Sequence, residues 1–271
     1  CGVTRVLGIT GTPVDQIFSE CAARGLRPIG TRHQQAAVLM AAAANYVAGR
    51  LESAVVVSAG PAVTNALTGV LVARGNGWPV LVMGGRRPLR REGIGYFQEL
   101  DAVPIFQSVT KWAATVQRTA EILGAVVRAC EIAASGRPGP VWLDIPLDVQ
   151  SARIDPDDLL PGFDPAELDE PWTHTDFDAV AKDVIAKLKA AKRPVVFAGG
   201  GVRLSGAHDQ FLQLIDRLGI PVVTGWNAHD VLWNAHPLYA GKPGTIGDRA
   251  GNMVTQSADF LLILGSRLNI R

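Results

Sequence analysis

Short apolar runs that alternate with longer helical patterns limit the fold of this chain more than any other feature. Residues 3–9, 53–58 and 79–83 are strand-like, and each is followed by a glycine-bearing turn and then by a helical pattern. Among these turns, Gly84-Gly85 is expected to mark the exit from the third run. Strands that are apolar on both faces and joined through helices are typical of parallel sheets. The pattern therefore predicts an α/β fold whose parallel sheet is covered by helices on both faces.

A change in composition divides the chain into two predicted domains. Residues 1–149 carry one complete series of strand and helix patterns, whereas residues 150–175 are rich in aspartate and proline. Such a segment is stiff and polar, so we expect a linker that does not join a hydrophobic core. The α/β pattern restarts over residues 176–271, where about three strand patterns are visible. A second parallel-sheet domain that is incomplete is therefore expected.

Composition excludes several classes of function. The net charge is +1, and 48% of the residues are hydrophobic, so no whole-molecule field favours nucleic acid. No apolar run is long enough for a membrane span, and no signal peptide is visible. Three widely spaced cysteines, Cys1, Cys21 and Cys130, predict neither a metal site nor a disulfide framework. A cytoplasmic location is the expectation that follows.

A polar stretch, residues 31–37, lies between a short strand and a long alanine-rich helix. The start of a helix offers free backbone amides, and ligands of α/β folds bind beyond the carboxyl ends of the strands. The segment 58–61 and Gly84-Gly85 follow neighbouring strands on the same side. From spacing alone, His33 and Gln34 are as compatible with an ordinary helix start as with a binding site.

The second domain contains a glycine turn that does not complete a dinucleotide fingerprint. Gly199-Gly200-Gly201 follows a strand, but Leu204 stands where the third glycine is required. Arg267, after the last strand, is either a phosphate-binding cation or an ordinary strand-end residue. Gly247-Asp248 is followed by arginine and has no suitably spaced asparagine, so no metal site is predicted there.

Eight ordered segments of the first domain resemble one enzyme family. They are GITG, RHQQAA, SAGPAVTN, WPVLVMGG, FQE, TK, GRPGPV and DIP. Together they resemble the pyrimidine-binding domain of thiamine-diphosphate-dependent enzymes of the acetolactate synthase, 2-hydroxyacyl-CoA lyase and oxalyl-CoA decarboxylase type. Residues 193–202 and 259–267 are similar to that family's central domain, which holds FAD in some members and ADP or CoA in others.

The resemblance implies roles for particular residues. It places Gln34, His33 and Gln98 in catalysis, and it places Phe97 and Lys111 at the substrate cavity of a neighbouring subunit. The implied cofactor-binding residues are Gly11, Gly60, Pro61 and Asn65, and the implied nucleotide-binding residues of the central domain are Gly200, Gly201 and Arg267.

Gln34 departs from the family at its most consequential position. The family carries there a glutamate that hydrogen-bonds the pyrimidine N1′ of the cofactor and shares its proton. An amide cannot act as that acid–base group, and its loss should slow proton transfer on the order of 10²–10⁴-fold. An engineered variant, a natural member that activates its cofactor differently and an inactive homologue all remain open.

The family's diphosphate and Mg²⁺ motif lies in a C-terminal domain, and this sequence stops within the central domain. The resemblance thus implies that another chain supplies that domain or that the sequence is a fragment, with a homo-oligomer in either case. The expected function is the pyrimidine-binding half of a thiamine-diphosphate-dependent C–C lyase or carboligase acting on a 2-oxo acid or an acyl-CoA. The alternative is an inactive regulatory or partner-stabilising homologue.

Overall fold

The computed structural model describes residues 2–160, 163–164, 166, 168 and 175–268. The chain divides into two compact units, residues 1–170 and 171–271, which are described separately. The finer division predicted from composition, with boundaries after residues 149 and 175, stays a prediction.

The first unit is built on a parallel sheet, with the strand order β2-β1-β3-β4-β6-β5 among its described residues. Its strands are β1 (Arg5–Gly8), β2 (Arg27–Gly30), β3 (Ser53–Val57), β4 (Val80–Arg86), β5 (Trp112–Thr115) and β6 (Pro140–Pro146). Its helices are α1 (Asp15–Ala23), α2 (Gln34–Ala48), α3 (Pro61–Asn76), α4 (Ala102–Gln107), α5 (Ile122–Ala134) and α6 (Leu147–Ser151). The predicted α/β fold with a parallel sheet is confirmed.

A single row of side chains across the sheet forms the core beneath α2 and α3. Leu7, Val55, Val82 and Trp142 occupy equivalent positions on four neighbouring strands, and all belong to one buried cluster. The same cluster includes buried alanines of the two helices, Ala37, Ala41 and Ala42 of α2 and Ala66 and Ala73 of α3. Because alanine adds little bulk, the two helices approach the sheet closely. This packing fixes where the first residues of both helices lie.

Gly84 and Gly85 lie inside β4, so the predicted exit turn at these residues is wrong. A Cβ on Gly84 would come within 2.3 Å of the Trp142 ring, and one on Gly85 would come within 2.6 Å of Val14. The two glycines therefore make room for neighbouring side chains in the sheet. Glycine in a strand often marks such a close approach rather than the end of the strand.

Two elements of the first unit lie where the sequence shows no clear periodic pattern. Helix α4 is short and contains Pro104, and β5 has only four residues, each partly exposed. Both are held by tertiary contacts: Phe106 of α4 stacks on Trp142 with ring centroids 3.8 Å apart, and β5 pairs with β6 as an edge strand. Local propensity alone could not specify either element.

Part of the acidic segment packs on the first unit, which corrects the prediction that it avoids the core. The backbone N–H of Leu160 donates to the carbonyl of Ala120 at 2.9 Å. Arg128 lies 5.3 Å from the centroid of the Phe163 ring, and Leu168 packs against the buried cluster around α5. A few apolar side chains therefore attach an otherwise polar segment. The predictions for residues 161–162, 165, 167 and 169–174 lie outside the described residues.

The cysteine prediction also needs correction. Cys130, on the buried face of α5, is disulfide-bonded, whereas Cys21 is a free thiol. Wide spacing in sequence did not indicate this bond, because disulfide formation depends on proximity in the folded chain.

The second unit contains a smaller parallel sheet with the order β8-β7-β9 among its described residues. Its strands are β7 (Pro194–Ala198), β8 (Val222–Thr224) and β9 (Phe260–Leu264), and its helices are α7 (Phe177–Ala190), α8 (Gly201–Leu204), α9 (His208–Leu218) and α10 (Arg249–Ser257). The predicted second parallel sheet is confirmed, and α10 is an addition. Across the described parts of both units, no helix combines the length and apolar character needed to cross a membrane.

Candidate active site

Helix α2 starts at the carboxyl edge of the larger sheet, and His33 determines where it starts. Its Nδ1 accepts a hydrogen bond from the backbone N–H of Gln35 at 3.1 Å, so the exposed imidazole satisfies one of the amides at the start of the helix. The structure thus gives His33 the role of a helix cap. Its predicted part in catalysis stays a prediction.

Gln34 is the first residue of α2, and only 8% of it is exposed. Its Oε1 accepts a hydrogen bond from Nδ2 of Asn65, on α3, at 3.1 Å. Among the described residues, Gln34 Nε2 donates to no protein acceptor. A nearly buried amide with an unused donor can bind the acceptor of a ligand.

Gly60 brings α3 and a distant loop together at the same edge. It precedes Pro61 at the start of α3 and has φ 62°, a conformation that favours glycine. A Cβ at Gly60 would lie 2.7 Å from Cβ of Gln98. Gln98 itself has φ 58°, which is uncommon for a residue with a side chain and occurs in turns and at functional sites.

The remaining predicted residues of this edge are Gly11 and Phe97. A Cβ on Gly11, which follows β1, would lie 3.7 Å from Ser58, which follows β3. Phe97 is 80% exposed on the loop that carries Gln98. The described structure therefore brings eight predicted residues to this end of the sheet: Gly11, His33, Gln34, Gly60, Pro61, Asn65, Phe97 and Gln98.

Lys111 lies at the opposite end of the strands, where β5 and β6 begin. Its backbone N–H donates to the carbonyl of Pro140, at the start of β6, and its Nζ lies 2.6 Å from the carbonyl of Ser135. Strand β6 has seven residues, so its start and its end are separated by roughly 20 Å. Within this chain, Lys111 is therefore not brought together with Gln34. Its predicted contribution to a neighbouring subunit's cavity stays a prediction.

A charged cluster at the ends of β4, β5 and β6 was not found by sequence reasoning. Arg86 Nη1 donates to Oδ2 of the buried Asp144 at 3.0 Å and to Oγ1 of Thr115 at 3.0 Å. Trp142 Nε1 donates to the other oxygen of Asp144 at 2.8 Å. The only sequence signal was an aspartate inside an otherwise apolar strand, which requires polar partners when it is buried.

Burial sets the proton affinity of this cluster. It raises the pKa of Asp144 to about 6, against the lowering effects of the hydrogen bond from Trp142 and the charge of Arg86. Although burial opposes the charge on Arg86, its hydrogen bond to Glu92 and the attraction of Asp144 raise the pKa of its guanidinium. Arg86 therefore stays charged, whereas Asp144 can change its charge near neutral pH.

Two cavities flank the candidate site, and Gln34 lines neither of them. One of about 320 Å³ is bounded by β1, β2 and α1, with Thr10, Phe18 and Thr31 among its lining residues. The other, of about 190 Å³, lies between Arg86, Arg87 and the loop that follows them. Neither cavity therefore defines the surroundings of the Gln34 amide, which are given by its own contacts.

In the second unit, the glycine turn serves close packing. A Cβ on Gly201 would lie 2.7 Å from Cα of Gly265, and the Gly201 N–H donates to the carbonyl of Gly265 at 2.9 Å. Gly200 precedes Gly201 at the start of the four-residue helix α8. Arg267 follows β9 and is exposed. Their predicted nucleotide-binding role stays a prediction, and the Gly201 amide is already used within the protein.

Comparison with known proteins identifies the family. Residues 1–105 match the N-terminal TPP-binding domain of thiamine pyrophosphate enzymes, and residues 181–271 match the central domain of the same enzymes. The first match covers β1 to β4 of the larger sheet, and the second covers all three strands of the smaller sheet. The chain belongs to the thiamine pyrophosphate (thiamine diphosphate) enzymes, of which it carries the N-terminal and central domains.

Within this family, the chain is similar to curated acetolactate synthase large subunits and 2-hydroxyacyl-CoA lyases. A probable acetolactate synthase large subunit of Methanococcus aeolicus is 35% identical over 89% of this chain and 40% of its own length. The acetolactate synthase isozyme 3 large subunit of Escherichia coli is 33% identical over 100% of this chain and 47% of its own length. A 2-hydroxyacyl-CoA lyase of Oryza sativa is 31% identical over 99% of this chain and 46% of its own length. The chain thus spans about half the length of the curated relatives it matches.

Proposed function

We propose that this chain is the pyrimidine-binding half of a thiamine-diphosphate-dependent C–C lyase or carboligase that contains glutamine in place of the activating glutamate. The observation that carries the proposal is the Gln34 amide, which is nearly buried at the start of α2 and has one satisfied acceptor and one unused donor. The relatives named above support the reaction class.

The residues at this edge fit an aminopyrimidine. Gln34 Nε2 offers a donor to a ring nitrogen, and Asn65 holds the amide in the orientation that presents this donor. Gly60 lets the Gln98 loop approach the start of α3, and Pro61 adds an apolar surface beside it. A flat heterocycle with one acceptor nitrogen is the kind of ligand that this arrangement can hold.

The same residues are poorly suited to activating the cofactor. Thiamine diphosphate, when bound, would supply a thiazolium carbon that becomes nucleophilic on deprotonation. Gln34 can donate a hydrogen bond to a ring nitrogen but cannot transfer a proton to it at neutral pH. His33, beside it, is an imidazole whose Nδ1 accepts the hydrogen bond of the helix cap, and it is not a carboxylate. We therefore expect binding with slow activation.

The proposal includes partners and further cofactors. The diphosphate and Mg²⁺ would be held by residues outside this chain, either in a C-terminal domain or in a separate subunit. A second copy of the chain would complete the site, and large exposed apolar side chains on α2 and α3, including Met40 and Leu71, offer a contact surface. ADP or FAD in the central domain belongs to the same hypothesis, and the substrate would be a 2-oxo acid or an acyl-CoA.

Calorimetric titration with thiamine diphosphate and Mg²⁺ tests the binding part of the proposal. The titration is run on this chain alone and with a C-terminal domain from an acetolactate synthase relative added in trans. Heat of binding that appears only when this chain and the added C-terminal domain are both present supports a site shared between them. If no combination bound the cofactor, the enzyme proposal would be wrong.

Restoring the carboxylate tests the activation part. Gln34→Glu should raise the rate of C2–H exchange of the bound cofactor on the order of 10²–10⁴-fold, because a carboxylate can share the ring proton. Gln35→Glu is the matched control, since it adds the same charge to the same helix start at the neighbouring position. Equal rates in both variants would contradict the role of residue 34.

A second function is favoured by the same amide pair. Gln34 and Asn65 form a neutral pair joined by a hydrogen bond within the protein, as expected of a homologue that no longer catalyses and instead regulates or stabilises a partner. In that case Gln34→Glu should leave C2–H exchange unchanged, while the chain still alters the activity or the stability of a catalytic partner.

A further inference from the structure

Arg86 occupies a junction between the buried sheet and the loop that carries Gln98. It is the last residue of β4, and its side chain is 14% exposed. On the sheet side it contacts Asp144 and Thr115 at 3.0 Å each. On the loop side its Nε lies 2.7 Å from Glu92, and its Nη1 lies 3.4 Å from Asp101.

Glu92 and Asp101 stand at the two ends of the loop. The loop begins after a 3₁₀ turn that ends at Arg91 and finishes where α4 begins at Ala102. Because one guanidinium binds a carboxylate at each end, it holds the two ends of the loop together. We call the ion pairs of Arg86 with Glu92 and Asp101 the clasp. Hydrogen bonds between charged groups are about twice as strong as neutral ones. On the sheet side, the buried Asp144 holds the same guanidinium in place.

Contacts inside the loop transmit this closure to Gln98. The Glu99 carboxylate accepts hydrogen bonds from the backbone N–H groups of Gly93 at 2.6 Å and Tyr96 at 2.8 Å. Arg87 Nη1 lies 3.3 Å from the same carboxylate. These bonds fix the backbone on both sides of Phe97 and Gln98. Gln98, with its positive φ, lies within a turn in which the Glu99 N–H donates to the Tyr96 carbonyl at 3.0 Å.

We propose that Arg86 and Asp144 are positioning residues that hold the loop of residues 92–101, and with it Gln98, against Gly60 beside the Gln34 site. This inference rests on the proposed function for the use of Gln98, but the mechanical link stands on the contacts alone. Within the described residues, no hydrogen bond or ion pair joins Arg86 or Asp144 to any of the eight predicted residues at that end of the sheet. They act through the loop.

Hydrogen–deuterium exchange of the whole chain tests this link without any cofactor. In Arg86→Gln, the amides of residues 92–101 should exchange roughly tenfold faster or more, because the loop loses its charged clasp. Arg86→Lys should restore part of the protection. Glu52→Gln is the matched control, since Glu52 forms an ion pair of 2.7 Å with Arg5 at the other edge of the same sheet.

Two further variants guard against a simple folding defect. Glu92→Gln and Asp101→Asn remove only the loop side of the clasp, at carboxylates whose side chains are 35% and 65% exposed. Their combination should increase exchange in the loop and leave the midpoint of thermal unfolding nearly unchanged. Unchanged loop exchange in this pair, or an equal rise in Glu52→Gln, would overturn the proposal. Neither result depends on cofactor binding, so failure here is distinct from failure of the proposed function.

Discussion

Helix α2 carries a buried amide at each end, and the two are treated differently by the fold. Asn45, near the end of the helix, is fully buried and makes four hydrogen bonds: Oδ1 accepts from the N–H groups of Glu52 and Ser53, and Nδ2 donates to the carbonyls of Ser53 and Pro79. The side chain of Gln34, at the start, makes a single hydrogen bond among the described residues, to Asn65.

The difference separates a structural amide from a candidate binding amide. Asn45 uses its whole hydrogen-bonding capacity to join α2 to the starts of β3 and β4, so it has nothing left for a ligand. Gln34 keeps a donor at the edge where ligands of parallel sheets bind. Both amide side chains are buried, so burial does not distinguish them. The number of hydrogen bonds that each amide makes does distinguish them.

The largest expected effect lies at the structural end. Asn45→Ala should lower the free energy of unfolding by about 4 kcal/mol, because four hydrogen bonds worth about 1 kcal/mol each are lost inside the protein. Urea denaturation of the variant and the parent chain measures this difference. A loss below about 1 kcal/mol would show that water replaces the amide, and the contrast between the two ends would fail.

Asp144 is an ionisable counterpart to the two amides. Both oxygens of its carboxylate accept hydrogen bonds, yet burial still disfavours the charged form. Its pKa of about 6 lies above its ordinary value of 3.8, so the folded state holds the proton more tightly than the unfolded state. The resulting stabilisation is fully present below about pH 4 and is lost as the pH rises through about 6. Over this range it amounts to roughly 3 kcal/mol.

The measurement for Asp144 is the difference in free energy of unfolding between the parent chain and Asp144→Asn at pH 4 and at pH 8. The difference should shift against the parent at the higher pH, since only the parent carries the titrating group. The groups that face Asp144 are Arg86, Thr115 and Trp142, and Arg86 keeps its charge throughout. A difference that does not change with pH would place the pKa of Asp144 near its ordinary value.

The smallest expected effect lies at the candidate binding amide. Gln34→Leu should lower the free energy of unfolding by about 1 kcal/mol or less, because it removes a single hydrogen bond at the rim of the core. The same urea denaturation applies, with Asn45→Ala as the reference. A loss as large as that of Asn45→Ala would make Gln34 a structural residue and would remove the main support for the proposed function.

Several features could be predicted from the sequence because they depend on local pattern. The alternation of strand and helix patterns predicted two parallel sheets, and the start of α2 at His33 and Gln34 agreed with the structure to within a residue. Glycines and prolines after the strands indicated which edge would gather Gly60, Pro61 and Asn65. The ordered motifs were sufficient for the family, which the domain matches then confirmed.

Other features were decided only by tertiary structure, because they depend on residues far apart in the chain. In the sequence, Gly84 and Gly85 resemble a turn, whereas in the structure they lie in a strand because Trp142 and Val14 fill the space beside them. Strand β5 exists because β6 pairs with it. Arg86 and Asp144 are separated by 58 residues, so no local pattern links them. Whether Gln34 binds or merely packs likewise depends on partners from α3. The sequence thus determined the order of the elements, while long-range contacts determined which polar groups were left with unused hydrogen-bonding capacity.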